Sequence, residues 1–176
     1  LSYIQGLKVG GKISLDNGLI DLKIKKIVSG RIQCNALDAG VIAGKKHVNF
    51  PGAKIKLPTI TAKDRKDIKE GLKLGVDFIA LSFVRSDKDV QELFSLLKRV
   101  KNKPEIFAKI EDQQGMDSIE VITKHSDGLL VARGDLGIET DITNLPYVQR
   151  KMVKVALQSG KKCIVATQLL ESMVTN

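Results

Sequence analysis

Lys109 and Glu111 stand two residues apart in EIFAKIED, residues 105–112. On an extended strand that spacing sends both side chains out of one face. A lysine beside a glutamate is a plain ion pair unless a third group joins them. A candidate follows in LLVARGDLGIE, residues 129–139. Its apolar start reads as a buried strand, which then breaks into Arg133-Gly134-Asp135. Asp135 brings a second carboxylate from the next strand. Mg²⁺ is usually held by one or two carboxylates, with substrate oxygens and water completing its shell. The backbone N–H groups of Gly134 and Asp135, read as a turn, are suited to cradling an anion. Lys109 adds a point charge for a phosphate or an enolate. Thr167 adds a hydroxyl after CIVA. The set suits a phosphorylated or carboxylated substrate bridged by Mg²⁺, because phosphoryl transfer depends on positioning and charge neutralisation. The residues alone leave the ion-pair reading open beside it.

The elements that must position these groups are legible from period and punctuation. Residues 1 to about 50 read as β-rich. KISLDNGLIDLKIKKI alternates apolar and polar residues on both sides of Asp16-Asn17-Gly18, a strong hairpin signal. A second hairpin is expected around Ser29-Gly30. GKKHVNFPGAKIKLP, with Pro51-Gly52 and Pro58, reads as a linker between two architectures. From residue 59 the period changes. Thr61 with Asp64 three later forms a capping-box variant, and Gly71 and Gly75 fall near that helix's end. VDFIALSF reads as a strand. Ser86 then caps an amphipathic helix with Val90, Leu93, Phe94 and Leu97 on one face. EIFAKIE is the next strand, GMDSIEVITKH the next helix and GLLVA a third strand. LPYVQRKMVKVALQSG is a helix closed by Gly160, and KCIVA is a fourth strand.

Such alternation means parallel βαβ units with right-handed crossovers. The strands are apolar in their middles, as strands covered on both faces should be. Each leads into a polar residue at its carboxyl end: Ser82, then Lys109, Glu111 and Asp112, then Asp135, then Thr167. β/α barrels and open α/β sheets build their sites along that edge. Ser82 reads equally as a packing residue or as part of the site. No Gly-x-Gly-x-x-Gly opens a helix and no Walker motif is present, which disfavours the usual nucleotide folds.

Composition narrows the classes. A chain of 176 residues is long enough for a real core, and no apolar run reaches membrane-span length. The first ten residues do not read as a secretory leader. The net charge is +9, but the lysines are spread along the chain. With five Phe, two Tyr and no Trp, the stacking platforms of single-strand binders are not expected, and neither is nucleic-acid binding. Cys34 and Cys163 fit no metal spacing and read as reduced thiols of a cytosolic-type compartment. His47 and His125 have no partners at metal spacing. Arg133-Gly134-Asp135 matches an adhesion tripeptide, but it caps an apolar strand where that role needs a mobile loop.

Three motifs now carry a resemblance. FAKIEDQQG, SDGLLVARGDLGIE and KKCIVATQLLESM resemble the central motifs of pyruvate kinase. So do LDNGLIDL, VNFPGAKIKLP and KDRKDIKEGLKLGVDFIALSFVR, in family order over nearly the whole chain. The resemblance implies an α/β fold, a partial (β/α)8 TIM barrel with part of a small β-rich lid domain. Residues 1–50 would be lid and 51–176 the central strands and helices of the barrel. It implies phosphoryl transfer from phosphoenolpyruvate to ADP, giving pyruvate and ATP, in the cytoplasm.

By position, Lys109 resembles the catalytic lysine, and Glu111 and Asp135 the Mg²⁺ ligands, with Mn²⁺ as a substitute. The amides of Gly134 and Asp135, with Thr167, resemble the substrate-carboxylate site, and Thr167 is also expected to be catalytic. Lys46 resembles a lid lysine near the nucleotide phosphates. A K⁺ ion would have its ligands outside this chain, and the family leads one to expect a homotetramer without nucleic-acid or membrane partners. Two departures stand out. Asn17 replaces the second Asp of the usual Asp-Asp-Gly hairpin, and Thr140-Asp141 follows GDLGIE where Ile-Pro is usual. The family's first barrel strands would precede Leu1 and its last would follow Asn176, so the chain reads as a fragment, unstable or inactive alone. An Mg²⁺-dependent lyase or aldolase working through a pyruvate enolate is the alternative, as is a non-catalytic remnant. Strict ADP dependence separates the lyase from the kinase.

Overall fold

The computed structural model describes residues 4–140, 142–167, 169 and 172–175. Gln168, Leu170 and Glu171 of the third motif, and Asp141 beside the second, lie outside the described residues, as do residues 1–3 and Asn176 at the ends of the two expected domains.

Local turn chemistry shapes the first third. β1 (Ile4–Gln5) leads to the meander of β2 (Lys12–Leu15), β3 (Ile20–Val28) and β4 (Arg31–Ala36). Leu15 pairs with Ile20 across a four-residue loop, in which Asp16, Asn17 and Gly18 have φ of 51°, 58° and 84°. Val28 pairs with Arg31 across Ser29 and Gly30, both left-handed, a primed two-residue turn. Ile13, Ile20 and Ile24 fill the buried side of this antiparallel sheet.

The stretch expected as a linker is built into sheets. β5 (Val48–Asn49) adds to the free edge of β2, giving the order β4-β3-β2-β5. β6 (Lys54–Ile55) pairs with β1. Between them Phe50 accepts from the Ala53 N–H at 2.9 Å around Pro51-Gly52, with Gly52 at φ 76°. Proline followed by a left-handed glycine is a type II turn. The punctuation that suggested a linker is the corner between two short strands.

Four parallel strands form a separate sheet: β7 (Phe78–Leu81), β8 (Glu105–Ile110), β9 (Gly128–Ala132) and β10 (Lys162–Ala166), side by side in chain order. α1 (Ala62–Lys73) starts on the expected box, with Asp64 Oδ2 accepting from the Thr61 N–H at 2.7 Å. Its end is closed by Gly75 at φ 73°, and the N–H groups of Gly75 and Val76 reach the carbonyls of Leu72 and Gly71. Gly160, at φ 64°, ends α6 (Leu145–Gln158) in the same way. α2 (Asp87–Leu96) buries Val90 and Leu93, with Leu97 buried just beyond its end.

The core lies between one face of the parallel sheet and α2, α4 (Ile119–His125) and α6. Ile106, Ala108, Ile110, Leu129 and Val131 are fully buried there against Leu93, Ile122 and Met152. Each large side chain so buried contributes about 1.5–3 kcal/mol. The opposite face is uneven. Phe107 is buried, but Phe78 and Ile164 on the edge strands are exposed. Apolar strands covered on both faces were expected, and only the central strands approach that.

Two helices differ from their reading. The expected helix 115–125 is two, α3 (Gln113–Asp117) and α4 (Ile119–His125), broken at Ser118. Asp112 caps α3, accepting from the Gly115 N–H at 2.9 Å, and this starts the first piece two residues early. Arg133–Glu139, expected to begin as a turn, is a short helix, α5. Leu136 is fully buried in its middle, so packing overrides two glycines that disfavour helix. A 3₁₀ turn at Ile142–Asn144 leads into α6, and α7 (Ser172–Thr175) follows β10.

Candidate active site

The expected residues converge on the carboxyl edge of the parallel sheet. Ile106, Ala108 and Ile110 take the helix-facing side of β8, so Lys109 and Glu111 emerge on the other side. Lys109 Nζ donates to Ser82 Oγ at 2.9 Å and stands 2.8 Å from Glu111 Oε1. Ser82 follows β7 directly, so the contact ties two strand ends together. Of the two readings open for Ser82, the geometry makes it part of this cluster.

Glu111 is only 2% exposed. Its second oxygen accepts from the Phe83 N–H at 2.6 Å. To present that N–H, Phe83 adopts φ 53°, a left-handed backbone rare for an aromatic residue. Such a conformation costs about 1–3 kcal/mol and persists only where neighbours hold it. Here Val84 is fully buried and its N–H reaches the Lys109 carbonyl at 3.2 Å. Arg85 Nε donates to Asp112 Oδ2 at 2.7 Å, with its guanidinium 5.6 Å from the Phe83 ring centre. The backbone of residues 83–85 is therefore clamped onto the end of β8.

A second group forms where β9 and β10 end. The Gly134 N–H donates to Thr167 Oγ1 at 3.2 Å. Gly134 stands in the first turn of α5, where backbone N–H groups lack helical partners and favour negative charge. Asp135 lines a cleft of about 500 Å³ together with Ser82, Phe83, Arg85, Asn49 and Glu139. Lys109 and Glu111 meet this cleft through Ser82 and Phe83. A separate groove of about 540 Å³ along α6 has Arg133, Arg150 and Lys154 in its walls and, among the described residues, no carboxylate.

Lys46 lies two residues before β5. Its ammonium pairs with Asp16 at the hairpin tip, 2.8 Å from Oδ2 and 3.0 Å from Oδ1.

The donor chemistry fits Mg²⁺. Among the described residues no cluster of three or more His, Cys, Asp or Glu side chains could enclose a metal. Mg²⁺ does not require one, since it keeps water and substrate oxygens as ligands. Glu111 and Asp135 supply hard anionic oxygens from adjacent strand ends. A carboxylate has about four acceptor positions, so the contacts of Glu111 with Lys109 and Phe83 leave capacity.

Glu139 was missed in the sequence. It closes α5 and accepts from Asn49 Nδ2 at 3.0 Å. Burial pushes its carboxyl above the usual range, with Asp112 and Asp135 adding to the shift, while the Asn49 amide and the Phe50 backbone oppose it. Its signal was its position four residues after Asp135, one helical turn on, which is invisible when 133–135 is read as a turn.

Parallel βαβ units with lysine, carboxylate, hydroxyl and helix N–H groups gathered at the carboxyl strand edge define an α/β fold of the enzyme type. The chain matches the family described as "Pyruvate kinase, barrel domain" over residues 2–176. It is 45% identical over 177 aligned positions to the pyruvate kinase of Staphylococcus epidermidis (strain ATCC 35984) and to that of Staphylococcus aureus (strain MRSA252). Each alignment covers 99% of this chain and 30% of the relative, so the chain spans under a third of their length. The chain belongs to the pyruvate kinase family.

Proposed function

We propose that this chain carries the central part of a pyruvate kinase active site. The transferring phosphoryl group leaves the C2 oxygen of phosphoenolpyruvate, whose P–O bond breaks. An oxygen of the ADP β-phosphate forms the new P–O bond, and the enolate left behind takes a proton at C3 to become pyruvate. Lys109 opposes the charge on the phosphoryl group and then on the enolate oxygen. Glu111 and Asp135 would hold Mg²⁺, which would supply neutralising charge to the transfer. The N–H groups of Gly134 and Asp135, with the Thr167 hydroxyl, orient the substrate carboxylate. Lys46 contributes to nucleotide phosphate binding.

The carrying observation is Lys109, held between Ser82 and the buried Glu111 at the carboxyl edge of the sheet. That geometry fixes an ammonium in place before substrate arrives, which is how preorganised charge lowers a barrier.

In this reading residues 1–50 belong to the lid and 51–176 to the barrel. The exposed Phe78 and Ile164 lie on the face that further strands of a closed barrel would cover. The whole enzyme acts in glycolysis in the cytoplasm as a homotetramer, and any K⁺ ligands lie outside these residues. Among the described residues no helix is long and apolar enough to cross a membrane.

The test is Lys109→Met in the full-length chain that carries these residues. Pyruvate formation from phosphoenolpyruvate and ADP is expected to fall by about 10²–10³-fold or more, as when one preorganised donor is removed elsewhere. Turnover left intact would overturn the assignment. Pyruvate formed without ADP would favour a lyase.

A further inference from the structure

The mechanism above leaves two buried polar groups of the cleft unused, Asn49 and Glu139. Ninety residues apart in sequence, they meet at 3.0 Å. We infer that Asn49 and Glu139 form a latch that holds the segment around β5 against α5 and so positions the Gly134–Asp135 end of that helix for phosphoryl transfer. This rests on the reaction proposed above and assigns Glu139 as a positioning residue for it.

Four observations carry the inference. First, the Asn49 side chain donates to Glu139 Oε1 at 3.0 Å. An ionised carboxylate only accepts, so a converging amide N–H matches it. Second, Asn49 sits on β5, paired with Ser14 of β2, and Ser14 is fully buried. The donor is therefore anchored to the antiparallel sheet and not to a free loop. Third, Asn49 is 6% exposed and its Oδ1 has no partner among the described residues. An unpaired buried oxygen is a penalty that a small apolar residue would avoid. Filling space does not explain an asparagine here, whereas donating to Glu139 does. Fourth, the hairpin tip lies on the same helix, since a Cβ on Gly18 would stand 3.4 Å from Ile138 Cγ1.

α5 transmits the constraint because it is short. It spans seven residues, so its ends are only about 9 Å apart along the axis. Leu136, fully buried, pins its middle. A shift at Glu139 must pivot about Leu136 and move Gly134 and Asp135.

The experiment is a double-mutant cycle in the full-length chain, with kcat and KM measured for phosphoenolpyruvate and ADP. Asn49→Ala and Glu139→Ala are each expected to lower kcat/KM by about 10-fold, mainly in kcat, since small misplacements near a reacting centre carry costs of that order. The double variant should be no worse than the poorer single one. Glu139→Gln keeps an accepting oxygen and should stay within about threefold of the parent, because hydrogen bonding rather than charge forms the latch. If Glu139→Ala fails to fold, Asn49→Ala and Glu139→Gln still decide, by a loss in the first and retention in the second. Losses that multiply to about 100-fold in the double variant would overturn the latch, because independent sites add in free energy. So would single variants equal to the parent. A parent chain that makes no pyruvate overturns the reaction and the latch together, whereas an active parent with multiplying losses overturns the latch alone.

Discussion

Lys109–Glu111 and Lys46–Asp16 are two ion pairs of one length in different surroundings. Each closes to 2.8 Å. In the first, Glu111 is 2% exposed and receives a second bond from the clamped Phe83 N–H. In the second, the side chains are 36% and 18% exposed, and the pair sits at a hairpin tip. Distance alone would rank them equal. Desolvation separates them, because a buried carboxylate that loses its partner keeps the full cost of its burial. A pair open to water exchanges protein contacts for solvent at little net cost.

The largest effect should therefore come from Lys109→Met, which leaves Glu111 buried and uncompensated. Stability is expected to drop by about 3–5 kcal/mol, read as a lower urea midpoint of the full-length chain. A midpoint equal to the parent's would erase the distinction between the pairs.

A smaller effect sharpens it from a carboxylate that lacks a lysine. The folded pKa of Glu139 is raised, chiefly by burial, above its ordinary value of 4.5. Between 4.5 and the folded value, the native chain keeps a proton that the unfolded chain has lost. Stability must then fall as pH rises through that window. Glu139→Gln removes this slope. Parent and variant should converge below the window, and the variant should be the more stable above it. Parallel stability curves across the whole range would rule out burial as the dominant influence.

The smallest effect belongs to Lys46→Met. It should change stability by less than about 1 kcal/mol. High salt should shrink even that, since the Debye length falls to about 3 Å at 1 M. A salt-independent loss as large as that of Lys109→Met would place the hairpin pair in the buried class.

Much of the fold could be read in advance, because its signals are local. Thr61 and Asp64 cap α1 through contacts three residues apart, and Gly75 and Gly160 end helices through their own backbone freedom. Ser29-Gly30 closes a hairpin by its φ angles alone. The strand-end residue types were equally visible, since Lys109, Glu111, Asp135 and Thr167 each follow an apolar run. The misreadings came where packing competes with propensity. Gly134 made 133–135 look like a turn, and the buried Leu136 draws it into a helix. Proline and glycine made 44–58 look like a linker, yet the free edge of β2 recruits Val48–Asn49.

By itself, then, the sequence determined the parallel βαβ order, the edge at which charged groups gather, and the residue types found there. Those follow from period, capping and turn preferences, all acting within a few residues. Only the tertiary structure decided which groups meet. Ser82 reaches Lys109 across 27 residues, the Phe83 N–H reaches Glu111 across 28, and Asn49 reaches Glu139 across 90. No local preference encodes such partners. They exist because burying the core brings strand ends together, and a buried polar group must then find whichever partner the fold has placed beside it.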